Sequence, residues 1–235
     1  MTPLHILVIV TAHAALGNTD QSTGLWLEEF SEPYYQFTTA QAEITVASLP
    51  GGAIPLDPHS VRDAGGNPPS VERFLADRAA QQLLKQTVSL ASLPSKGWDI
   101  VFIPGGHGAM WDLASSEALG KFLSEVWQNK TIVGSVCHGP AAFINAKDSD
   151  GNPIVRGRLV NAFSDSEERS MKLTTTVPFL LETKLRSLGA RYVQGADFTP
   201  NVVRDGRLIT GQNPMSSALV AQALLKAANE VRATP

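Results

Sequence analysis

Short apolar runs rich in β-branched residues alternate with longer amphipathic stretches along most of this chain, and this alternation restricts the folds open to it. Strands separated by helices form mostly parallel sheets that helices cover on both faces. The predicted strands of the first half are His5–Val10, Glu43–Ser48, Asp99–Ile103 and Thr131–Val136, and the predicted helices are Leu25–Thr38, Val71–Gln86 and Glu117–Gln128. The sequence therefore predicts an α/β protein whose ligands bind at the C-terminal ends of its strands.

The pattern is less regular after Pro140. Two strands are predicted to flank Asp205-Gly206, a dipeptide typical of tight hairpin turns. The predicted elements of this half are strands at Arg158–Phe163, Asn201–Arg204 and Arg207–Thr210, and helices at Pro178–Leu188 and Ser216–Val231 with a further helical stretch beginning at Glu167–Leu173. The Gly-, Pro- and Asp-rich segment Pro50–Pro69 is predicted to be a long loop, and such loops are often functional.

Length and composition exclude several classes of protein. A chain of 235 residues can bury one large core, so a single domain over 1–235 is expected. The net charge of -3, without a Lys/Arg cluster, argues against a nucleic-acid partner. No run approaches the roughly 18 to 20 apolar residues that a membrane span needs, and Ile6–Val10 is too short and β-branched for a signal peptide. A cytoplasmic location is therefore expected.

The chemistry of the chain is concentrated where the strand Thr131–Val136 ends at Cys137, the single cysteine. His138 follows, and then a Gly-Pro break and an apolar run suited to a helix. A turn from strand to helix of this kind, a nucleophile elbow, presents a nucleophile at the end of a sheet. His138 and the helix N-terminus would both favour the thiolate, so this thiol is expected to be more ionised than that of a free cysteine.

Other readings of these residues are less informative. A lone cysteine is often inert packing, and Glu28, Glu29, Glu167 and Glu168 could all be ordinary surface carboxylates. The chain has no His-x-x-x-His or Cys-x-x-Cys spacing, so no metal site is expected. The loop 105–108 lacks the spaced third glycine of a dinucleotide site. No cofactor is predicted.

Five segments, in a fixed order and spread over nearly the whole chain, together resemble the ThiJ/PfpI superfamily within the class I glutamine amidotransferase-like fold. The likeness is greatest to the glyoxalase III-like, heat-shock-chaperone branch. The segments are Thr23–Glu29, Gly51–Pro58, Pro104–Gly108, Val136–Pro140 and Thr210–Pro214. The resemblance implies a flavodoxin-like three-layer α/β/α sandwich carrying the nucleophile elbow, and it is compatible with a homodimer.

The resemblance also implies a set of site residues. Cys137 would be the nucleophile, His138 its partner, and Glu29, five positions after Gly24, the acid beside the sulfur, with Glu28 as the alternative. The triad acid would be Glu168, with Glu167 as the alternative. The oxyanion donors would be the backbone N–H groups of Gly106 and His138. From the sequence itself, His107 is expected to be a simple polar loop residue rather than a catalytic one, with a substrate contact as the alternative.

The implied activity is a cofactor-free, glutathione-independent glyoxalase (D-lactate dehydratase) that converts methylglyoxal or glyoxal through a hemithioacetal on Cys137. Alternatives within the superfamily are a stress chaperone, a redox sensor, a deglycase, and a cysteine peptidase or amidohydrolase. The glutaminase triad of related amidotransferases needs a late histidine, and no histidine follows His138. The sequence does not decide between a chaperone and an enzyme. It also does not indicate whether the loop Pro50–Pro69 is a lid.

Overall fold

The structure, a computed structural model, describes residues 2–233. The strands in this range are β1 (His5–Ile9), β2 (Glu43–Ser48), β3 (Val88–Ser89), β4 (Ile100–Ile103), β5 (Ile132–Val136), β6 (Leu159–Val160), β7 (Arg191–Tyr192), β8 (Val202–Asp205) and β9 (Leu208–Gly211). The α-helices are α1 (Leu27–Thr39), α2 (Pro69–Ala76), α3 (Arg78–Lys85), α4 (Asp112–Ser115), α5 (Glu117–Gln128), α6 (Asp165–Ser170), α7 (Leu181–Ser187) and α8 (Ser217–Ala233).

The central sheet has seven strands in the order β3-β2-β1-β4-β5-β9-β8. Every neighbouring pair is parallel except the hairpin β8–β9 at one edge. The inner order β2-β1-β4-β5-β9 is that of flavodoxin-like sheets. In this order β2 is added on one side of β1, and the later strands β4, β5 and β9 are added on the other side. The predicted flavodoxin-like α/β fold is thus confirmed.

Alternate side chains of each inner strand point into two different cores. Ile6 and Val8 of β1 lie in the core formed with α1, α2 and α8, whereas Leu7 and Ile9 lie in the core on the opposite face. This division follows from the two-residue period of a strand. Both faces are apolar because helices cover both, which makes the sandwich three layers thick.

Three predicted elements differ from the structure. The helix predicted over Val71–Gln86 is two helices, since the Asp77 side chain accepts the Ala80 N–H and begins α3. The apolar run after Pro140 forms only a 3₁₀ helix, Gly139–Phe143.

The strand predicted over Arg158–Phe163 shortens to β6, which pairs with β7 in a separate small sheet. The N–H groups beyond it are taken by other partners: Asn161 donates to Thr210 Oγ1, Ala162 to the Tyr192 hydroxyl, and Phe163 to the Cys137 carbonyl. The hairpin around Asp205-Gly206 is confirmed. Within residues 2–233, none of the helices combines the length and apolar character required to cross a bilayer.

Candidate active site

Cys137 lies directly after β5 with a backbone φ of 58°, a left-handed conformation that non-glycine residues rarely adopt. The sharp turn is held from two sides: the Cys137 N–H donates to the Gly211 carbonyl at 3.0 Å, and its carbonyl accepts the Phe163 N–H at 2.8 Å. Strained backbone of this kind is retained only where surrounding contacts determine it. The predicted nucleophile elbow is therefore present.

His138 contacts the sulfur with one ring nitrogen and a carboxylate with the other. Its Nδ1 lies 3.3 Å from Cys137 Sγ, and its Nε2 lies 2.8 Å from Glu168 Oε2. A carboxylate only accepts hydrogen bonds, so Nε2 carries the proton and Nδ1 of the neutral ring has a lone pair for the thiol. Burial and the neighbouring His107 lower the pKa of His138, although Glu168 opposes the shift.

Glu168 joins two histidines. Its Oε1 lies 2.8 Å from His107 Nε2, and the two imidazole rings are 4.1 Å apart between centroids. Burial alone would raise the pKa of Glu168, but attraction to His138 and the hydrogen bonds from both rings hold that pKa well below its usual range. Glu168 is therefore a carboxylate at neutral pH, and His107 is a buried part of the site rather than a simple loop residue.

The adjacent Glu167 has a different environment. Its carboxylate accepts from the Ser164 N–H at 2.9 Å, forming the capping box of α6, and from the Phe198 N–H at 2.8 Å. It also binds the side-chain amides of Gln212 and Asn213, at 3.1 and 2.8 Å. Successive helical residues point about 100° apart, so when Glu167 faces this network Glu168 faces the histidines.

Glu29, in α1, contacts both the loop after β4 and Cys137. Its Oε2 accepts the Gly105 N–H at 2.6 Å, and its buried Oε1 has no further hydrogen bond of normal geometry within residues 2–233. Burial raises the pKa of Glu29 to about 8, against the lowering effect of the Cys137 thiol and the Gly105 N–H. At neutral pH Glu29 is thus mainly a carboxylic acid next to Cys137. Glu28 interacts instead with Glu32 and Arg62.

The state of the thiol differs from the sequence-based expectation. Burial, and then the charge of Glu29, raise the pKa of Cys137 well above its usual value, and the backbone N–H of His138 opposes this only in part. The expectation of a thiol more ionised than a free cysteine is wrong for this pocket, because Cys137 is only 4% exposed and has an acid beside it. Ionisation must therefore accompany proton transfer to a neighbour.

The predicted oxyanion donor Gly106 belongs to a loop that packs between the elbow and the segment before α1. A side chain on Gly105 would come within 2.6 Å of the His138 N, and one on Gly106 within 2.2 Å of the Gly24 carbonyl. Gly106 also has a φ of 95°. In the part of the chain described, the Gly106 N–H makes no hydrogen bond to a protein acceptor. Only glycine permits the loop after β4 to approach the elbow this closely.

The sulfur opens into a pocket of about 200 Å³. The sequence did not indicate most of its walls: Trp26, Arg62, Phe163, Met171, Phe198, Pro214 and Met215 line it together with Gly106, His107 and His138. Arg62 belongs to the loop Pro50–Pro69, so this loop does form part of the site. Asp57 of the loop accepts a hydrogen bond from Thr23 Oγ1 at 2.8 Å, which fixes the loop to the segment before α1.

A metal ion could be considered at His107, His138 and Glu168, whose ligand atoms lie within 4.8 Å of one another. The same atoms, however, are already hydrogen-bonded to each other at 2.8 Å. A cation would have to displace both of these bonds. The absence of a metal site stays a prediction.

The protein is an α/β sandwich with a cysteine at a strand-to-helix elbow and a His–Glu pair beside it. Comparison with known proteins identifies its family. A model of the DJ-1/PfpI family matches residues 23–227. The chain is 30% identical to a protein of Schizosaccharomyces pombe named glutathione-independent glyoxalase hsp3101, over 91% of each chain.

Solved structures agree. The fold matches the rapid encystment protein of 24 kDa from Francisella tularensis, with a TM-score of 0.90 and 36% identity over 96% of this chain and 99% of that one. It matches glyoxalase III from Candida albicans with a TM-score of 0.87 and 28% identity, over 95% and 97%. The chain therefore belongs to the DJ-1/PfpI family, and the resemblance to its glyoxalase III-like branch is confirmed.

Proposed function

We propose that the protein is a glutathione-independent glyoxalase that converts methylglyoxal, a small 2-oxoaldehyde, to lactate on Cys137. The observation that carries this proposal is the sulfur with two proton carriers beside it, His138 Nδ1 at 3.3 Å and the protonated Glu29 carboxyl. The names of the relatives from Schizosaccharomyces pombe and Candida albicans support it. The reaction needs no external oxidant, because C1 of the substrate is oxidised while C2 is reduced.

The reaction begins when His138 Nδ1 takes the thiol proton and the thiolate attacks the aldehyde carbon C1. The oxygen on C1 then accepts the proton of Glu29, which gives a hemithioacetal and leaves Glu29 as a carboxylate. Glu168 stabilises the imidazolium that forms on His138. The N–H groups of Gly106 and His138 stabilise the transient oxyanion. A thiol of raised pKa can enter this sequence because its proton leaves as the C–S bond forms.

Glu29 is then the base that removes the proton from C1 and returns it to C2 through an enediol, which yields a lactoyl thioester on Cys137. A pKa near 8 suits a group that gives and takes protons at neutral pH. Water then attacks the thioester carbonyl and loses its proton to Glu29, while His138 protonates the leaving sulfur. Lactic acid departs with every site residue back in its starting state.

The test is lactate formation from methylglyoxal in buffer without glutathione. The wild-type protein is expected to turn over many times, and Cys137→Ser to lose at least about 10³-fold in kcat/KM. Glu29→Gln should lose about 10²–10⁴-fold, since it cannot carry a proton. Glu28→Gln is the matched control and should retain activity. A Cys137→Ser protein that forms lactate at the wild-type rate would refute the proposal.

The redox-sensor alternative fits the site less well. Sensor cysteines are exposed and ionised, whereas this sulfur is buried and its thiol pKa is raised. The chaperone, deglycase and homodimer predictions stay predictions.

A further inference from the structure

The proposed reaction uses four of the five titratable side chains gathered at the elbow, Cys137, His138, Glu29 and Glu168, and leaves His107 without a role. His107 is buried and lines the pocket together with Cys137. The centroid of its ring lies 4.1 Å from that of the His138 ring. Sequence patterns alone gave it at most a substrate contact. Its geometry supports a more specific role.

The hydrogen bond to Glu168 fixes the tautomer of His107. Since the carboxylate can only accept, the proton of the neutral ring lies on Nε2, 2.8 Å from Glu168 Oε1. Nδ1 then has a free lone pair. Within residues 2–233 this nitrogen has no hydrogen-bond partner, while the corresponding Nδ1 of His138 is occupied by the Cys137 sulfur. Glu168 thus fixes the same tautomer in both rings: Nδ1 of His138 lies at the sulfur, and the basic Nδ1 of His107 belongs to a ring that lines the pocket.

The proposed isomerisation has a step that neither Glu29 nor His138 serves. After Glu29 removes the C1 proton, the negative charge resides on the oxygen of C2, and the oxygen of C1 still carries its hydrogen. The thioester forms only when that hydrogen moves from the C1 oxygen to the C2 oxygen. His138 is protonated at this stage and faces the sulfur, so it cannot accept this proton.

We infer that His107 is a catalytic residue whose Nδ1 takes the proton from the C1 oxygen and passes it to the C2 oxygen. The O–H bond at C1 breaks as an N–H bond forms, and that N–H bond then breaks as the O–H bond at C2 forms. Glu168 stabilises the transient imidazolium. His107 begins and ends neutral, and Glu29 then protonates C2 to complete the lactoyl thioester. The inference rests on the proposed glyoxalase function.

Two substitutions separate this role from simple positioning of Glu168. The terminal amide nitrogen of glutamine extends about as far as Nε2 of histidine, so His107→Gln can keep the hydrogen bond to Glu168 but cannot accept a proton. The amide of asparagine lies near the Nδ1 position, so His107→Asn loses the bond to Glu168. Circular dichroism and a cooperative urea transition report whether each variant is folded.

If His107 carries the proton, both variants should lose about 10²–10⁴-fold in kcat. His107→Gln should still form the hemithioacetal, seen by NMR with ¹³C-labelled methylglyoxal and by reversible protection of Cys137 from iodoacetamide. Should His107→Gln turn over within threefold of the wild type, or fail to form the hemithioacetal while folded, the inference is overturned. If His107→Gln does not fold, a His107→Asn protein that folds and turns over overturns it equally.

The same experiment distinguishes this inference from the proposed function. A wild-type protein that makes no lactate from methylglyoxal contradicts the glyoxalase itself. An active wild type with an active His107→Gln contradicts only the role of His107.

Discussion

The two carboxyl groups of the site lie in opposite electrostatic environments. Glu29 is fully buried and accepts one backbone N–H, so burial raises its pKa to about 8, whereas Glu168 faces two histidines and its pKa falls. A carboxylic acid and a carboxylate therefore coexist at neutral pH. Such a separation of pKa values supports the proposed roles, Glu29 as the proton carrier and Glu168 as the permanent acceptor.

The pH dependence of stability provides a test of the Glu29 environment. Its pKa is raised on folding, so the folded state holds a proton that the unfolded state releases from pH 4.5 to about 8. Over that window this group makes the free energy of unfolding fall with rising pH, by about 1.4 kcal/mol per unit. Below pH 6.5 the lowered pKa of His138 acts in the opposite direction, so the clearest interval is pH 6.5–8.

We expect the wild type to lose stability between pH 6.5 and 8 in urea unfolding, and Glu29→Gln to show little of this loss. The glutamine side-chain oxygen can still accept the Gly105 N–H. Equal slopes for the two proteins would show that Glu29 is already ionised in the folded state. Glu28→Gln, a change at the next position, serves as the control.

Helix α6 carries two consecutive glutamates, Glu167 and Glu168, that have entirely different hydrogen-bond partners. Glu167 caps the helix and binds Gln212 and Asn213, and this explains the Thr210–Pro214 motif that sequence analysis left without a function. Glu168 is thereby directed at the histidines.

The pair Glu167→Gln and Glu168→Gln should therefore give opposite results. Glu167→Gln places an amide donor among N–H donors, so we expect a loss of about 2 kcal/mol in unfolding free energy with turnover retained within tenfold. Glu168→Gln no longer fixes the histidine tautomers, and its kcat should fall by on the order of 10²–10⁴. Urea unfolding and lactate assays on both proteins measure this. A Glu168→Gln protein as active as Glu167→Gln would contradict the assignment.

The loop after β4 can be tested with two glycines of nearly equal φ, 95° at Gly106 and 92° at Gly97. Nothing lies within 4 Å of a side chain added at Gly97, so Gly97→Ala should cost only the backbone strain, about 1–3 kcal/mol. Gly106→Ala would also collide with the Gly24 carbonyl, and we expect a loss of about 3 kcal/mol or more together with loss of activity. Equal effects on stability would show that the loop is free to move away from α1.

At the scale of the whole molecule, the site lies at the C-terminal ends of the central strands, next to the point where the strand order reverses. The segment leading to Glu29 follows β1, the glycine loop follows β4, and Cys137 follows β5; these three strands are adjacent in the sheet. The C-terminal ends of adjacent parallel strands meet at one edge, so residues more than a hundred positions apart in sequence converge there. The sheet therefore brings the loops together, and the loops and α1 carry the side chains of the site.

The sequence was most informative where chemistry and local pattern coincide. Strand periodicity predicted the parallel sheet, and the Cys-His-Gly-Pro turn predicted the elbow. The sequence could not predict burial: the raised pKa of Cys137 and the choice of Glu168 over Glu167 depend on packing between distant segments. Nor could it place Met171, Phe198 and Met215 around the pocket, since single apolar residues in loops carry no periodic signal.

The central claim is that Cys137 carries the substrate covalently, and acid-quenched mass spectrometry during the first turnover tests it most directly. In the wild type the peptide containing Cys137 should gain the mass of one methylglyoxal as the lactoyl thioester and lose it as lactate appears. Cys137→Ser should show neither the adduct nor lactate. If lactate formed at the full wild-type rate while Cys137 stayed unmodified at every time point, the account would be contradicted.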